Sequence, residues 1–187
     1  GALVAHPGVR MVSFTGGTAS GRRIAEIAAR KLMPVALELG GKSPHIVFED
    51  ADFDAAVTAI IGGIFEGTGQ SCVAGSRMFV QRPIYDRVVE AVVAAARTLR
   101  VDLPDRPDAQ MGPIATFAHR DRVASMVERA RSEGARILTG GAPPQAPDLA
   151  KGSFYLPTVI DGIDNRAAIA QEEIFGPVMT VQSFSDE

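Results

Sequence analysis

Apolar positions along the chain switch repeatedly between two periods. Short runs rich in branched and aromatic residues read as strands: MVSF (11–14), VALEL (35–39), HIVF (45–48), SRMFV (76–80), and later YLPTVI and VMTVQSF. Between them lie longer segments whose apolar residues recur every three to four positions. In IYDRVVEAVVAAARTL (84–99) that spacing places Tyr85, Val88, Val89, Val92, Val93 and Ala96 on one helical face. A helix from about Ser20 to Lys31 turns Ile24, Ile27 and Ala28 inward, with Ser20 as its N-cap and Pro34 beyond its end. DADFDAAVTAIIGGIF reads as a helix whose early aspartates suit the positive end of its dipole. Another runs from about Thr116 to Glu133 and closes at Gly134, followed by the strand and turn RILTGG. APPQAPDLAKGS (142–153) is a loop by composition. Strands alternating with helices predict an α/β fold with a largely parallel sheet, and no internal repeat interrupts it.

Composition narrows the partners more than the fold. With 187 residues and 46% hydrophobic content the chain can bury a core, as one domain or two small ones. A formal charge of −3 gives no electrostatic case for nucleic acid or anionic lipid. The longest apolar run, near Val57–Phe65, contains Gly62 and Gly63 and is too short to span a bilayer. No secretory signal pattern opens the chain, and its single cysteine forms no internal disulfide, as expected of a reducing, cytoplasmic setting. An opening at Gly1 without methionine and an end on a strand-like run suggest a piece of something longer.

Three stretches could carry chemistry. FTGGTASGRR (14–23) is a strand, a glycine-rich turn and a helix start, where bare N–H groups attract phosphate. Gly16 and Gly21 have the spacing of a phosphate-binding loop, but Arg22 and Arg23 replace the lysine and hydroxyl that a nucleoside triphosphate needs. On its own the segment reads as a tight strand-to-helix turn. In LELGGKSP (37–44), Glu38 sits within an apolar strand, on the face opposite Leu37 and Leu39. It is either a general base in a cleft or a surface carboxylate on an edge strand. EGTGQSCVAGSR (66–77) holds the lone Cys72 among Gly67, Gly69 and Gly75, between a helix and a strand. A nucleophilic thiol needs local help to ionise, and backbone N–H groups beside it could stabilise an oxyanion; the alternative is an inert buried cysteine. His6, His45 and His119 are scattered, so no metal cluster is expected, and His45 or His119 could pair with Cys72 only in a cysteine-hydrolase reading.

Taken in order and spacing, FTGGTASG, LELGGKSP, GQSC 34 residues after Glu38, and EEIFGPV (172–178) resemble the aldehyde dehydrogenase superfamily. SRMFVQ, GPI and PTV extend the resemblance over essentially the whole chain. It implies the end of a Rossmann-like dinucleotide-binding domain (1–39) followed by most of an α/β catalytic, thiol-bearing domain (40–187), incomplete at its C-terminus. It implies a Cys72 thiolate that attacks an aldehyde, a thiohemiacetal, hydride loss to NAD or NADP, and a thioester hydrolysed by water that Glu38 activates. Related acylating enzymes that hand the acyl group to coenzyme A typically lack that glutamate, so a carboxylic acid product is implied. Glu173 matches the carboxylate that holds the nicotinamide ribose, Phe175 the aromatic near the nicotinamide ring, and Leu39 a further cofactor contact. Gly16, Gly17 and Gly21 fall where the cofactor phosphates meet a helix N-terminus, with Gly17 in place of a frequent serine. The resemblance also implies a homo-oligomer, a dimer or a tetramer. The family's adenosine-gripping lysine and oxyanion asparagine are expected upstream; Asn165, the only asparagine here, does not match that motif. The alternative is that these 187 residues form a non-catalytic structural fragment.

Overall fold

Strand and helix propensities are realised in two separate units, Gly1–Gly41 and a larger one beginning at Lys42, in a computed structural model that describes residues 1–186. The first unit runs α1 (Ala2–Ala5), β1 (Val12–Thr15), α2 (Thr18–Arg30) and β2 (Val35–Glu38). β1 and β2 pair in parallel, with Val12 opposite Val35 and Thr15 opposite Glu38. The N-cap of α2 is Gly17 rather than Ser20. Two glycines complete the reversal after β1 without side chains in the way, so the helix starts at Thr18 and Ser20 falls inside its first turn. After α2, Lys31 Nζ gathers the N-terminal segment by donating to the carbonyls of Val4 (3.2 Å), His6 (2.6 Å) and Val9 (3.2 Å).

The second unit continues with β3 (Pro44–Val47), α3 (Phe53–Phe65), β4 (Arg77–Gln81), α4 (Tyr85–Thr98), α5 (Phe117–Ser132), β5 (Arg136–Thr139), α6 (Pro147–Ala150), β6 (Thr158–Asp161), α7 (Ala168–Gln171) and β7 (Val178–Phe184). Its sheet has the order β3-β4-β7-β6-β5, and every pair is parallel except β5 with β6. Alternation gives the sheet two apolar faces. Met78, Val80, Met179, Val181 and Val159 bury against α3 and α4, where Ile60, Ile64, Val88 and Val92 meet them. Ile160 and Val178, on the other face, pack with Val123, Val127 and Ala130 of α5, together with Tyr155, Ile169 and Ile174. Each fully buried branched side chain contributes about 1.5–3 kcal/mol relative to exposure. The cover on that second face is uneven: toward β3 and β4, Ile46, Phe48, Phe79 and Phe184 line an open apolar hollow.

Helix ends follow local chemistry. Asp52 caps α3 by accepting from the Ala55 N–H at 3.0 Å, and Thr116 caps α5 by accepting from that of His119 at 3.1 Å. Gly134 leaves α5 at φ 97°, where a side chain would be strained. The expected loop 142–153 contains a single helical turn, α6, started by Pro147 at a first-turn position that tolerates proline. Among the described residues no helix is long and apolar enough to cross a membrane.

Candidate active site

In the first unit, the glycine-rich turn is tied to the end of β2. The Gly16 N–H donates to the Glu38 carbonyl at 3.0 Å. Gly21 is buried against Leu39, where an added Cβ would fall 2.6 Å from Leu39 Cδ2. Gly16, Gly17, Gly21 and Leu39 are thereby brought together where β1 and β2 end. No side chain caps the N-terminus of α2, and Gly16, Gly17 and Thr18 are exposed. Open N–H groups at the positive end of a helix, with small residues in front, fit a phosphate of a dinucleotide. The Glu38 side chain is exposed at the end of β2.

In the second unit, α3 gives way to a tight turn over Glu66–Gly69. Gly67, Thr68 and Gly69 are all left-handed, at φ 60°, 62° and 65°. For Thr68 this is unfavourable by about 1–2 kcal/mol. Its buried hydroxyl donates to the Gly112 carbonyl at 3.2 Å, which helps hold the residue there. Gln70 Oε1 accepts from the Ala115 N–H at 2.9 Å, and the Gln70 N–H donates to the Gly67 carbonyl at 3.1 Å. The segment returns through Ala74, whose N–H donates to the Ser71 carbonyl at 3.1 Å, and Gly75, whose N–H donates to the Gly63 carbonyl at 2.9 Å. Gly75 makes room for the His45 ring, because a Cβ there would lie 2.7 Å from His45 Cε1 and closer still to Nε2. Ser71, Cys72 and Val73 are left exposed at the crest, while Ala74, Gly75 and Ser76 are buried beneath them. The thiol is therefore not a core residue.

The Glu172–Val178 segment packs directly against this loop. Gly69 meets the Gly176 backbone so closely that an added Cβ would fall 2.6 Å from the Gly176 carbonyl carbon. A Cβ on Gly176 would in turn sit 2.8 Å from Val123 Cγ2 of α5. The segment is held by side chains of α5. Arg129 pairs with Glu172 at 2.9 Å, Arg122 Nη2 donates to the Glu173 carbonyl at 3.3 Å, and His119 Nε2 lies 2.7 Å from the Phe175 carbonyl. Ahead of the segment, in α7, the Ile169 carbonyl accepts from Lys42 Nζ at 3.1 Å, and the Lys42 carbonyl accepts from Arg77 Nε at 2.7 Å. Burial, then the Arg77 charge, lowers the Lys42 pKa to about 8, with Glu173 acting against the shift. Cys72, Glu173 and Phe175 thus belong to neighbouring segments of one unit.

Both remaining histidines are committed to other contacts. The His45 ring lies against Gly63 and Gly75 with a buried, unpartnered Nε2, and burial lowers its pKa. Among the described residues no hydrogen bond joins either His45 or His119 to Cys72, which leaves the hydrolase pairing without support. Asn165 accepts from Arg77 Nη1 at 3.5 Å, a peripheral contact. No group of three or more metal-ligating side chains occurs among the described residues. Pattern reading missed the anchors at Thr68, Gln70 and His119, whose partners are all main-chain atoms.

Comparison with known proteins gives a consistent picture. The family model described as "Aldehyde dehydrogenase family" matches residues 1–187. A 2-hydroxymuconic semialdehyde dehydrogenase of Pseudomonas sp. (strain CF600) is 40% identical over 99% of this chain and 38% of its own length. A betaine aldehyde dehydrogenase of Brucella ovis is 44% identical over 100% of the chain and 38% of its own length. The solved structure of a Staphylococcus aureus betaine aldehyde dehydrogenase in complex with NAD+ superposes with a TM-score of 0.96 at 41% identity, covering 98% of this chain and 36% of that one. The chain thus spans a little over a third of the length of these relatives.

Proposed function

Since the chain belongs to the aldehyde dehydrogenase family, we propose that the protein carrying it oxidises an aldehyde to a carboxylic acid with NAD+ or NADP+. The observation that carries the reading is Cys72, exposed at the crest of a loop that neighbouring segments hold from beneath. The Cys72 thiolate attacks the carbonyl carbon, forming a C–S bond and an alkoxide that nearby backbone N–H groups stabilise. When bound, the nicotinamide cofactor supplies the acceptor for the hydride lost from that carbon, and Cys72 is left holding a thioester. Glu38 removes a proton from water, the hydroxide adds to the thioester carbon, and collapse releases the carboxylate and restores the thiolate.

The remaining residues divide by what they hold. The α2 N-terminus with Gly16 and Gly17 receives a cofactor phosphate, and Gly21 and Leu39 support that turn. Glu173 holds the nicotinamide ribose and Phe175 packs by the ring. Residues 1–39 are read as the end of the dinucleotide-binding domain and 40–187 as catalytic domain. By the same resemblance the protein is a homo-oligomer, and its single cysteine fits a reducing, cytoplasmic setting. The relatives are named for different aldehydes, so the substrate is assigned only to that class.

Two variants of the protein that carries this chain test the reading. Cys72→Ala is expected to abolish aldehyde oxidation. Glu38→Gln is expected to slow deacylation, so that acid quenching followed by mass spectrometry finds an acyl group on Cys72. Undiminished oxidation by the Cys72 variant would sink the mechanism.

A further inference from the structure

Phe175 adopts φ 56°, a conformation rare for a residue of its bulk. Such an outlier persists only where surrounding contacts over-determine it. Gly176, immediately after it, is confined between Gly69 and Val123. Arg122 Nη2 fixes the Glu173 carbonyl two residues before it. At the residue itself His119 Nε2 lies 2.7 Å from the Phe175 carbonyl, with the two rings edge to face at a centroid distance of 6.1 Å. A carbonyl only accepts, so Nε2 carries the hydrogen, and both the neutral Nε2–H ring and the imidazolium can donate it.

His119 is itself placed by the loop that bears the thiol. Its N–H is capped by Thr116, and Ala115, one residue further back, donates to Gln70 Oε1. One helix start therefore contacts both the Cys72 loop and Phe175. We infer that His119 is a positioning residue: by donating to the Phe175 carbonyl it holds the left-handed backbone that presets the Phe175 ring, and so sets how tightly the dinucleotide binds. The inference rests on the assignment of Phe175 to the cofactor.

The experiment is calorimetric titration of the protein that carries this chain with NAD+, using variants whose folding is checked by circular dichroism. His119→Leu keeps bulk and removes the donor; His119→Gln keeps an amide N–H in reach of the same carbonyl. The Leu variant is expected to weaken NAD+ binding on the order of tenfold, as loss of one well-formed hydrogen bond implies, and the Gln variant to recover most of it. Phe175→Ala is expected to weaken binding too, and His119→Leu added to it should cost nothing further, because the histidine acts through the ring. Unchanged affinity in His119→Leu, no recovery with Gln, or additive losses in the double variant would overturn the inference while leaving the cofactor reading intact. A wild-type protein that bound no NAD+ would overturn both.

Discussion

Replacing Gly69 by alanine separates two reasons why glycine stands beside the thiol. The first is conformational: Gly67 and Gly69 have φ of 60° and 65°, and an alanine at either carries a left-handed penalty of about 1–2 kcal/mol. The second is steric and applies to one of them. A Cβ at Gly67 meets nothing within 4 Å, whereas at Gly69 it falls 2.6 Å from the Gly176 carbonyl carbon and 3.0 Å from the Ile64 carbonyl oxygen. Main-chain atoms cannot rotate aside, so the overlap adds roughly 1–3 kcal/mol of overpacking. Gly67→Ala should then cost about 1–2 kcal/mol and Gly69→Ala about 2–5 kcal/mol. Urea midpoints at unchanged m-value, followed by circular dichroism, measure the difference. Turnover should diverge further, because relieving the overlap moves the loop that carries Cys72. A displacement approaching 1 Å lowers kcat on the order of a hundredfold, while Gly67→Ala stays near wild type. Equal losses in the two variants, or full activity in Gly69→Ala, would refute the idea that close backbone approach positions the thiol.

Gln70→Ala strips the acceptor from the exposed Ala115 N–H, at a cost of about 0.5–1.5 kcal/mol, and should lower kcat along with the melting temperature; a Gln70→Ala protein with wild-type turnover would count against the anchor. Lys42 supplies a pH test. Its folded pKa of about 8 lies below the ordinary value of 10.5, so between those limits the unfolded chain binds the extra proton. Its contribution to stability is therefore least favourable below pH 8 and improves as pH rises toward 10.5. Relative to Lys42→Met, the wild type should gain stability between about pH 7.5 and 10 in urea titrations, and a difference that stays flat with pH would contradict the buried charge.

The sequence displayed what is local and periodic. The apolar face of α4 follows from its spacing, and the exposure of Cys72 follows from three glycines between a helix and a strand. Asp52 was legible as an acidic residue suited to a helix start, and in the structure it is the cap. Ser20 misled because serine is a strong capping residue, yet the Gly16–Gly17 reversal starts the helix before it. α6 was hidden inside a proline-rich stretch because proline signals both a loop and a first helical turn. The site's fastenings were beyond reach for another reason. Gln70 and Ala115 are 45 residues apart, His119 and Phe175 are 56 apart, and in each pair the partner atom belongs to the main chain. A backbone carbonyl or N–H is the same in nearly every residue type, so it leaves no mark in composition, period or motif.

That sameness divides evolutionary freedom unevenly around the thiol. The surroundings are gripped through the Gly63, Gly112 and Gly176 carbonyls and the Ala115 N–H, atoms that survive any change of side chain that preserves the backbone path. The Ala115 side chain can therefore drift without releasing the loop that carries Cys72. Thr68, Gly69 and Gln70 have no such latitude, since each engages its partner through its own side chain or through the lack of one. A loop built this way can change the side chains around it while keeping the path that presents Cys72.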